Sequence, residues 1–166
     1  MSVNGALPPF AMAAALMLAG CTGEAAPAVT PAPAPSQVRV SGLFAVATRT
    51  EGSVVIDGQG YVLYRSALDR PSPTRSACTG ACTDRWLPVL ATAGPQLSGI
   101  NRELVGTYRR ADGRVQLTLG GWPLYEYAGD RTPGDINGRG VDGNWWLVRP
   151  DGSLDGGNAV RSGPAG

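Results

Sequence analysis

A chain of 166 residues is long enough for one ordinary domain with tails. Its 14 basic residues, all arginine, face 13 acidic residues, so the net charge of +1 gives no electrostatic reason to expect a nucleic-acid partner. The sequence contains no histidine, which excludes Ser-His-Asp and Cys-His nucleophiles, His-ligated haem and zinc sites that need imidazole. A carboxylate-based hydrolase is compatible with the composition, but no motif indicates one. We therefore expect neither an enzyme nor a cofactor.

Residues 1–20 are predicted to be a lipoprotein signal peptide. The run "LPPFAMAAALMLAG" is apolar except for two prolines, and it is shorter than the about 20 residues that a membrane-spanning helix needs. It ends in "LAGC", which resembles the bacterial lipobox, where the cysteine is lipidated and the chain is cut before it. This resemblance implies lipidation of Cys21 and an extracytoplasmic protein that is anchored to a membrane or to the cell surface. It does not indicate which leaflet carries the anchor.

Residues 21–37 are predicted to be a tether between the lipidated Cys21 and a folded domain. The stretch "TGEAAPAVTPAPAPSQ" is rich in alanine and proline, so it favours the extended polyproline II conformation and cannot form a packed core. At about 3.1 Å per residue, such a stretch reaches roughly 50 Å. The tether would hold the domain away from the membrane.

Residues 38–160 are predicted to form a mainly β domain, followed by a short tail at 161–166. Short β-prone runs alternate with glycine, aspartate, asparagine and proline. The run "RVQLTLG" alternates apolar and polar residues, and "ADG" and "GG" on either side of it are typical hairpin turns. Only "SGINREL" has the pattern of a short helical turn. These patterns predict antiparallel meander sheets.

The domain contains two copies of one ten-residue motif. At a shift of 61 residues, "GYVLYRSALD" lies over "GWPLYEYAGD", so Tyr64 and Asp69 correspond to Tyr125 and Asp130. Each copy then continues through a polar loop to tryptophan. Two copies are too few for a solenoid, so we expect two half-repeats, at about 38–92 and 99–150, packed on one core as one small domain.

These motifs resemble those of the bacterial secreted-repeat lipoproteins, a family that is described by Tyr-x-(Phe/Trp/Tyr)-x-x-Asp and has no assigned function. "YEYAGD" fits the motif fully, whereas "YRSALD" has Ser66 in place of the aromatic residue. The segment "SACTGACTDRWLP" is similar to the cysteine-containing segment of the family's first half. The resemblance covers about 100 residues and implies no particular activity.

Two interpretations of the repeated motif are open. In the first, the tyrosine packs in the core and the aspartate accepts hydrogen bonds from loop amides. In the second, Tyr125, Tyr127 and Asp130 form a binding patch. The adjacent Trp145 and Trp146 point to opposite faces if they lie on a strand, so one belongs in the core and the other is free to stack on a glycan or peptide of the envelope.

Cys78 and Cys82 form a pair separated by three residues. Outside the cytoplasm such a pair is normally oxidised, and the disulfide would be a local staple. The alternative is redox or copper chemistry, since two thiolates alone can hold Cu(I). The loop "GDINGRGVDGN" raises a further alternative of calcium binding between Asp135 and Asn144, although its spacing does not fit an EF-hand and a glycine-rich turn explains it.

Together these patterns predict a membrane-anchored lipoprotein of the cell envelope that acts as a non-catalytic binding or structural module. Its partners would be the membrane, through the lipid, and an envelope protein or glycan. The alternative is a redox or copper-handling accessory that uses Cys78 and Cys82. We expect no bound metal in the first of these roles.

Overall fold

The computed structural model describes residues 1–2, 5 and 38–154, and the fold is that of residues 38–154. Almost all of the predicted signal peptide, Cys21, the tether and the tail at 161–166 lie outside the described residues. The signal peptide, the lipidated cysteine, the tether and the tail therefore stay predictions. In the described residues, no helix is long and apolar enough to cross a membrane.

Residues 38–154 are mainly β-structure, as the sequence predicts. The only helices among them are short: α1 (Cys82–Arg85) and two 3-10 turns, Arg102–Leu104 and Val141–Gly143. The strands are β1 (Val38–Arg39), β2 (Gly42–Ala47), β3 (Ser53–Asp57), β4 (Tyr64–Ser66), β5 (Arg70–Pro71), β6 (Thr74–Arg75), β7 (Trp86–Leu90), β8 (Gln96–Ser98), β9 (Val105–Arg109), β10 (Val115–Leu119), β11 (Trp122–Pro123), β12 (Tyr125–Tyr127) and β13 (Trp145–Leu147).

The described strands form three sheets. The largest has eight strands in the order β11-β10-β7-β12-β4-β13, with β1 paired to β7 and β9 paired to β10. A second sheet has the order β3-β2-β8, and β5 and β6 form a two-stranded hairpin. Most pairs are antiparallel, and the exceptions, β1 with β7 and β2 with β8, each join strands that are distant in sequence.

The predicted meander is present in the second half-repeat. Strands β9, β10 and β11 follow one another in antiparallel register, from Val115 opposite Arg109 to Leu119 opposite Trp122. The turn between β10 and β11 is Gly120–Gly121, both with positive φ (59° and 81°). Two successive left-handed residues make a tight turn that matches strand twist, which explains the glycine pair.

The two half-repeats are interleaved in the large sheet. In the order β7-β12-β4-β13, strands of the first half (β7 and β4) alternate with strands of the second half (β12 and β13). The centre of this arrangement is Tyr64 opposite Tyr125. The equivalent residues of the two copies thus face each other, and an approximate twofold axis passes between them.

The backbone bonds around this axis are duplicated. Val89 N–H donates to the carbonyl of Leu124 at 3.0 Å, and Val148 N–H donates to the carbonyl of Leu63 at 3.1 Å. Leu63 and Leu124 are repeat counterparts. Each half therefore uses the other half to satisfy its backbone hydrogen bonds, as buried backbone groups require.

The core has two parts. One is aliphatic, and its buried residues come from both halves: Val40, Leu43, Val55, Leu63, Val89, Leu117, Leu119, Leu124 and Val148. The other is largely aromatic and lies on the face of the large sheet that carries the repeated tyrosines. Its buried residues are Val54, Val62, Tyr64, Cys78, Trp86, Tyr125, Trp145 and Leu147.

Candidate functional site

The tyrosine of each motif copy is hydrogen-bonded to the aspartate of the other copy. The Tyr64 hydroxyl donates to Asp130 Oδ2 at 2.7 Å, and the Tyr125 hydroxyl donates to Asp69 Oδ2 at 2.9 Å. Both tyrosines are fully buried, and both aspartates are nearly so. The repeated motif is therefore a reciprocal exchange between the two halves.

The second carboxylate oxygen of each aspartate binds a loop amide of its own half. Asp69 Oδ1 accepts from Ala77 N–H at 2.7 Å, and Asp130 Oδ1 accepts from Asn137 N–H at 2.9 Å. Each aspartate thus joins the loop that follows its own strand to the tyrosine of the opposite repeat. These contacts are the ones that the packing interpretation of the motif predicts.

Burial changes the ionisation of these groups. Desolvation raises the pKa of Asp69 to about 6, although the hydrogen bonds from Ala77 and Tyr125 act in the other direction. Desolvation also raises the pKa of both Tyr64 and Tyr125, and the neighbouring aspartates add to that effect. Both phenols are therefore held as neutral hydrogen-bond donors rather than as phenolates.

Two tryptophans that follow the motif copies stack on each other. The ring centroids of Trp86 on β7 and Trp145 on β13 are 3.7 Å apart with an interplanar angle of 6°. In a flat sheet the strands β7 and β13 would be about 14 Å apart, since two strands lie between them. The sheet must therefore curl around its aromatic face to bring the two rings together. Tyr64 and Tyr125 pack edge-on against this stack.

The two halves differ at the aromatic position of the motif. Tyr127 lies opposite Trp86 on the neighbouring strand, with ring centroids 4.5 Å apart. The counterpart of Tyr127 is Ser66, which lies opposite Trp145. A cavity of about 140 Å³ is found there, lined by Ser66, Trp145 and the Cys78–Cys82 pair among others. The missing aromatic ring of the first motif thus leaves a space beside the second tryptophan.

Cys78 and Cys82 form a disulfide, which confirms the predicted pairing. Cys78 is buried within the aromatic part of the core, and Cys82 packs against it. In the described residues, no group of three or more cysteine and carboxylate side chains is placed to hold a metal ion. The disulfide closes the loop that leads into α1 and β7.

A buried arginine connects the disulfide loop to the motif, although no pattern in the sequence indicates this role. Arg110 is only 4% exposed. It donates to the carbonyl of Cys78 at 2.6 Å, to Gln116 Oε1 at 2.6 Å and to Ser76 Oγ at 3.3 Å. Ser76 Oγ in turn lies 2.6 Å from the Tyr125 hydroxyl. "RR" at 109–110 reads as a solvated pair in the sequence, so no local signal separates the buried arginine from the exposed one.

A second polar group whose environment no sequence pattern indicates is Glu126. Desolvation raises the pKa of its carboxyl group to about 8, and the neighbouring Asp57 is itself nearly fully buried. The charges of Asp57 and Asp130 act in the same direction. Glu126 Oε1 is buried without a hydrogen-bond partner. The x position of the motif thus carries a carboxyl group that is protonated more readily than usual.

The loop with calcium-like spacing uses its polar groups within the fold. Asp135 accepts from Arg131 N–H at 2.8 Å and from Thr132 N–H at 3.0 Å. Gly138 packs against the aromatic core, where an added Cβ would lie 2.9 Å from atoms of the Tyr64 and Trp86 rings. Because Gly138 has no side chain, the loop can lie directly against the aromatic rings.

The predicted binding residues divide by exposure. Tyr125, Asp130 and Trp145 are buried and engaged with other residues of the core, whereas Tyr127 and Trp146 are half-buried. The opposite placement of Trp145 and Trp146 follows the alternation of a strand. Binding by the accessible members of this set stays a prediction.

Comparisons with known proteins are consistent with this duplicated architecture. A family model described as a secreted repeat of unknown function matches residues 45–90 and 106–149, which together make up just over half of the chain. The two matched segments are the two interleaved halves of the sheet. Comparison with curated proteins and with solved structures gives no significant match.

Proposed function

Because the chain belongs to the family of secreted repeats of unknown function, we propose that it is a lipid-anchored protein of the cell envelope whose β domain acts as a non-catalytic binding or structural module. Cys21 carries the lipid, and residues 22–37 hold the domain at a distance from the membrane. The membrane is the partner of the anchor, and an envelope glycan or protein is the partner of the domain.

The observation that carries the non-catalytic role is the reciprocal pairing of the motif residues. Tyr64, Asp69, Tyr125 and Asp130 satisfy one another and lie inside the domain. A catalytic group needs access to a substrate. The polar atoms of these four residues instead form hydrogen bonds that join the two halves. The motif therefore supports a rigid module rather than a reaction centre.

The surface that supports ligand contact lies on the opposite face of the same strands. Trp146 is the cross-strand neighbour of Arg65, whose guanidinium lies 3.9 Å from the centroid of the Trp122 ring. Trp122 and Trp146 are both half-buried. Two partly exposed tryptophans that both neighbour Arg65 suit stacking on a sugar or a peptide.

The anchor is tested by following the full chain and a Cys21→Ala variant through membrane fractionation, with mass spectrometry of the mature amino terminus. We expect the parent protein in the membrane fraction with a lipid on Cys21. We expect the variant to lose the lipid and to leave that fraction. A parent protein cut elsewhere, or without lipid, would contradict the anchor.

The binding role is tested by tryptophan fluorescence during titration with soluble peptidoglycan fragments. We expect Trp146→Ala to weaken binding at least tenfold, with the fold retained by circular dichroism. Phe44→Leu, which changes another half-buried aromatic residue in a different sheet, is the control and is expected to bind as the parent does. Unchanged binding in Trp146→Ala would contradict the assignment of this face.

A further inference from the structure

The β5–β6 hairpin carries two arginines on one face. Arg70 and Arg75 are directly opposite each other in the antiparallel pair, and both are exposed. Residues directly opposite in such a pair have Cβ atoms about 5 Å apart on the same face, and like charges there are destabilising. The stability of the fold therefore does not explain why two cationic side chains lie opposite each other here.

Nothing in the described part of the chain neutralises these two guanidiniums. The ion pairs among the described residues involve Arg85, Arg110, Arg114 and Arg139, and neither arginine of the hairpin. The nearest acids along the chain and around the cavities are already engaged. Asp69 is buried and bound to Ala77 and Tyr125, while Asp112 pairs with Arg110 at 3.2 Å and Arg114 at 2.7 Å.

The hairpin also borders open space. A cavity of about 490 Å³ is lined by Arg70, Pro73 and Arg75. A neighbouring cavity of about 380 Å³ is lined by Arg75 and by Tyr108, Arg110, Ser76 and Thr79 among others. Arg75 stands between the two cavities, so a ligand in the first would meet two free guanidiniums and would have hydroxyl groups close by.

The backbone of the hairpin is held in place by hydrogen bonds of Thr74 and by close packing against Gly121. The Thr74 hydroxyl lies 3.0 Å from the carbonyl oxygen of Pro71 and 2.9 Å from that of Gly121. A Cβ at Gly121 would come within 2.5 Å of the Pro71 oxygen, so the two chains approach too closely for any side chain there. The arginines therefore project from an ordered support, which lowers the entropy lost on binding.

The second half-repeat provides the contrast. Its counterpart of Arg70 is Arg131, which follows Asp130 as Arg70 follows Asp69. That loop carries Asp135, which accepts hydrogen bonds from Arg131 N–H and Thr132 N–H, and it has Ile136 at the counterpart of Arg75. The pair of arginines is therefore a property of the first half alone and does not follow from the duplication.

We propose that the β5–β6 hairpin is a binding site for a phosphate group, with Arg70 and Arg75 as its two cationic ligands. Guanidinium groups match phosphate oxygens with paired hydrogen bonds. Two of them balance the charge of a phosphate monoester, which is close to −2 at neutral pH, whereas a carboxylate would balance only one. The phosphate belongs either to a soluble phosphorylated molecule or to a lipid headgroup.

The test is calorimetric titration of the purified full chain carrying Cys21→Ala, with inorganic phosphate as the ligand. We expect a Kd of about 1 mM or tighter at low salt. Arg70→Gln/Arg75→Gln is expected to weaken binding at least tenfold. Arg49→Gln/Arg131→Gln removes the same charge from exposed arginines outside the hairpin and is expected to bind as the parent does.

Two further binding experiments define the chemical class of the ligand. Acetate is expected to bind at least tenfold more weakly than phosphate, and equal affinity would overturn the assignment of a dianion. Vesicles of phosphatidylcholine with and without phosphatidic acid distinguish the sources of phosphate. Phosphatidic-acid-dependent binding that the hairpin double variant loses assigns the site to a lipid headgroup. Binding of free phosphate without such a vesicle response assigns it to a soluble ligand.

The proposal is overturned if phosphate does not bind up to about 10 mM, or if the hairpin double variant binds it as the parent does. Circular dichroism of each variant separates loss of binding from loss of fold. Because Cys21 is replaced in every sample, the result does not depend on the lipid anchor. A negative result for phosphate therefore does not contradict the proposed function. A negative result for the lipid anchor or for glycan binding likewise does not contradict the phosphate site.

Discussion

Glu126 lies on β12 with its carboxyl group against Asp57, and burial holds its pKa at about 8. A carboxyl group whose pKa is higher in the folded than in the unfolded state stabilises the fold while it is protonated. That stabilisation is complete below the unfolded value of about 4.5 and is lost as the pH rises through 8. Asp69 acts in the same direction, with its loss complete once the pH passes its folded pKa of about 6.

We therefore expect the melting temperature to fall between pH 6 and pH 8, in the window where only Glu126 of these two groups still titrates. Glu126→Gln should remove most of this slope, because an amide does not titrate in this range. We expect its melting temperature at pH 8 to be about 5 °C or more above that of the parent. Glu103→Gln, at an exposed site, should keep the slope, and a full slope in Glu126→Gln would contradict this account.

Ser66 stands where the second copy of the motif has an aromatic ring, beside a cavity of about 140 Å³. Ser66→Phe would fill part of this space and contact Trp145, so we expect it to stabilise the domain by about 1 kcal/mol in chemical denaturation. Ser66→Ala measures the loss of the hydrogen bond that Leu68 N–H donates to Ser66 Oγ. A Phe variant less stable than the Ala variant would show that the space cannot accept a ring.

The loop closed by Cys78 and Cys82 connects the β5–β6 hairpin to α1 and β7. Its disulfide spans five residues, and a loop of that length is stabilised by about 2 kcal/mol on the chain-entropy estimate. Burial of Cys78 and the hydrogen bond from Arg110 to its carbonyl fix one end of the loop to the core, while residues 79–81 are exposed. The disulfide therefore fixes the position at which β7 begins.

We expect Cys78→Ala/Cys82→Ala to lower the free energy of unfolding by about 2 kcal/mol or more. Thr79→Ala, in the same loop with the disulfide intact, should change it by less than about 0.5 kcal/mol. The midpoint reduction potential of the pair should lie below about −300 mV, as is typical of structural disulfides. A potential near −200 mV with little loss of stability would instead favour the redox alternative.

Elements with local signals could be predicted from the sequence. The alternation of "RVQLTL" and the flanking turns gave β9, β10 and β11, and the pattern of "SGINREL" gave the 3-10 turn at Arg102–Leu104. The two-residue strands β5 and β6 and the four-residue α1 lack such signals. They exist because the disulfide and the contacts to β11 hold them, and interactions of that kind cannot be read from a local window.

The sequence predicts two halves on one core but not the interleaving of their strands in the large sheet. Tyr64 and Asp69 are five residues apart, as are Tyr125 and Asp130, so a pairing within each copy and a pairing between copies satisfy the same pattern. Only the sheet order β7-β12-β4-β13 selects the pairing between copies. The same order explains why Trp86 and Trp145 stack, and why three of the predicted binding residues became core residues.

The duplicated motif joins the two halves, because the tyrosine of each copy is bonded to the aspartate of the other copy. The most direct measurement is a double-mutant cycle in chemical denaturation, with Tyr64→Phe combined first with Asp130→Asn and then with Asp69→Asn. We expect a coupling free energy of about 1 kcal/mol or more for Tyr64 with Asp130, because the two are hydrogen-bonded at 2.7 Å. We expect less than about 0.3 kcal/mol for Tyr64 with Asp69. A larger coupling for Tyr64 with Asp69 than for Tyr64 with Asp130 would contradict the exchange between the halves.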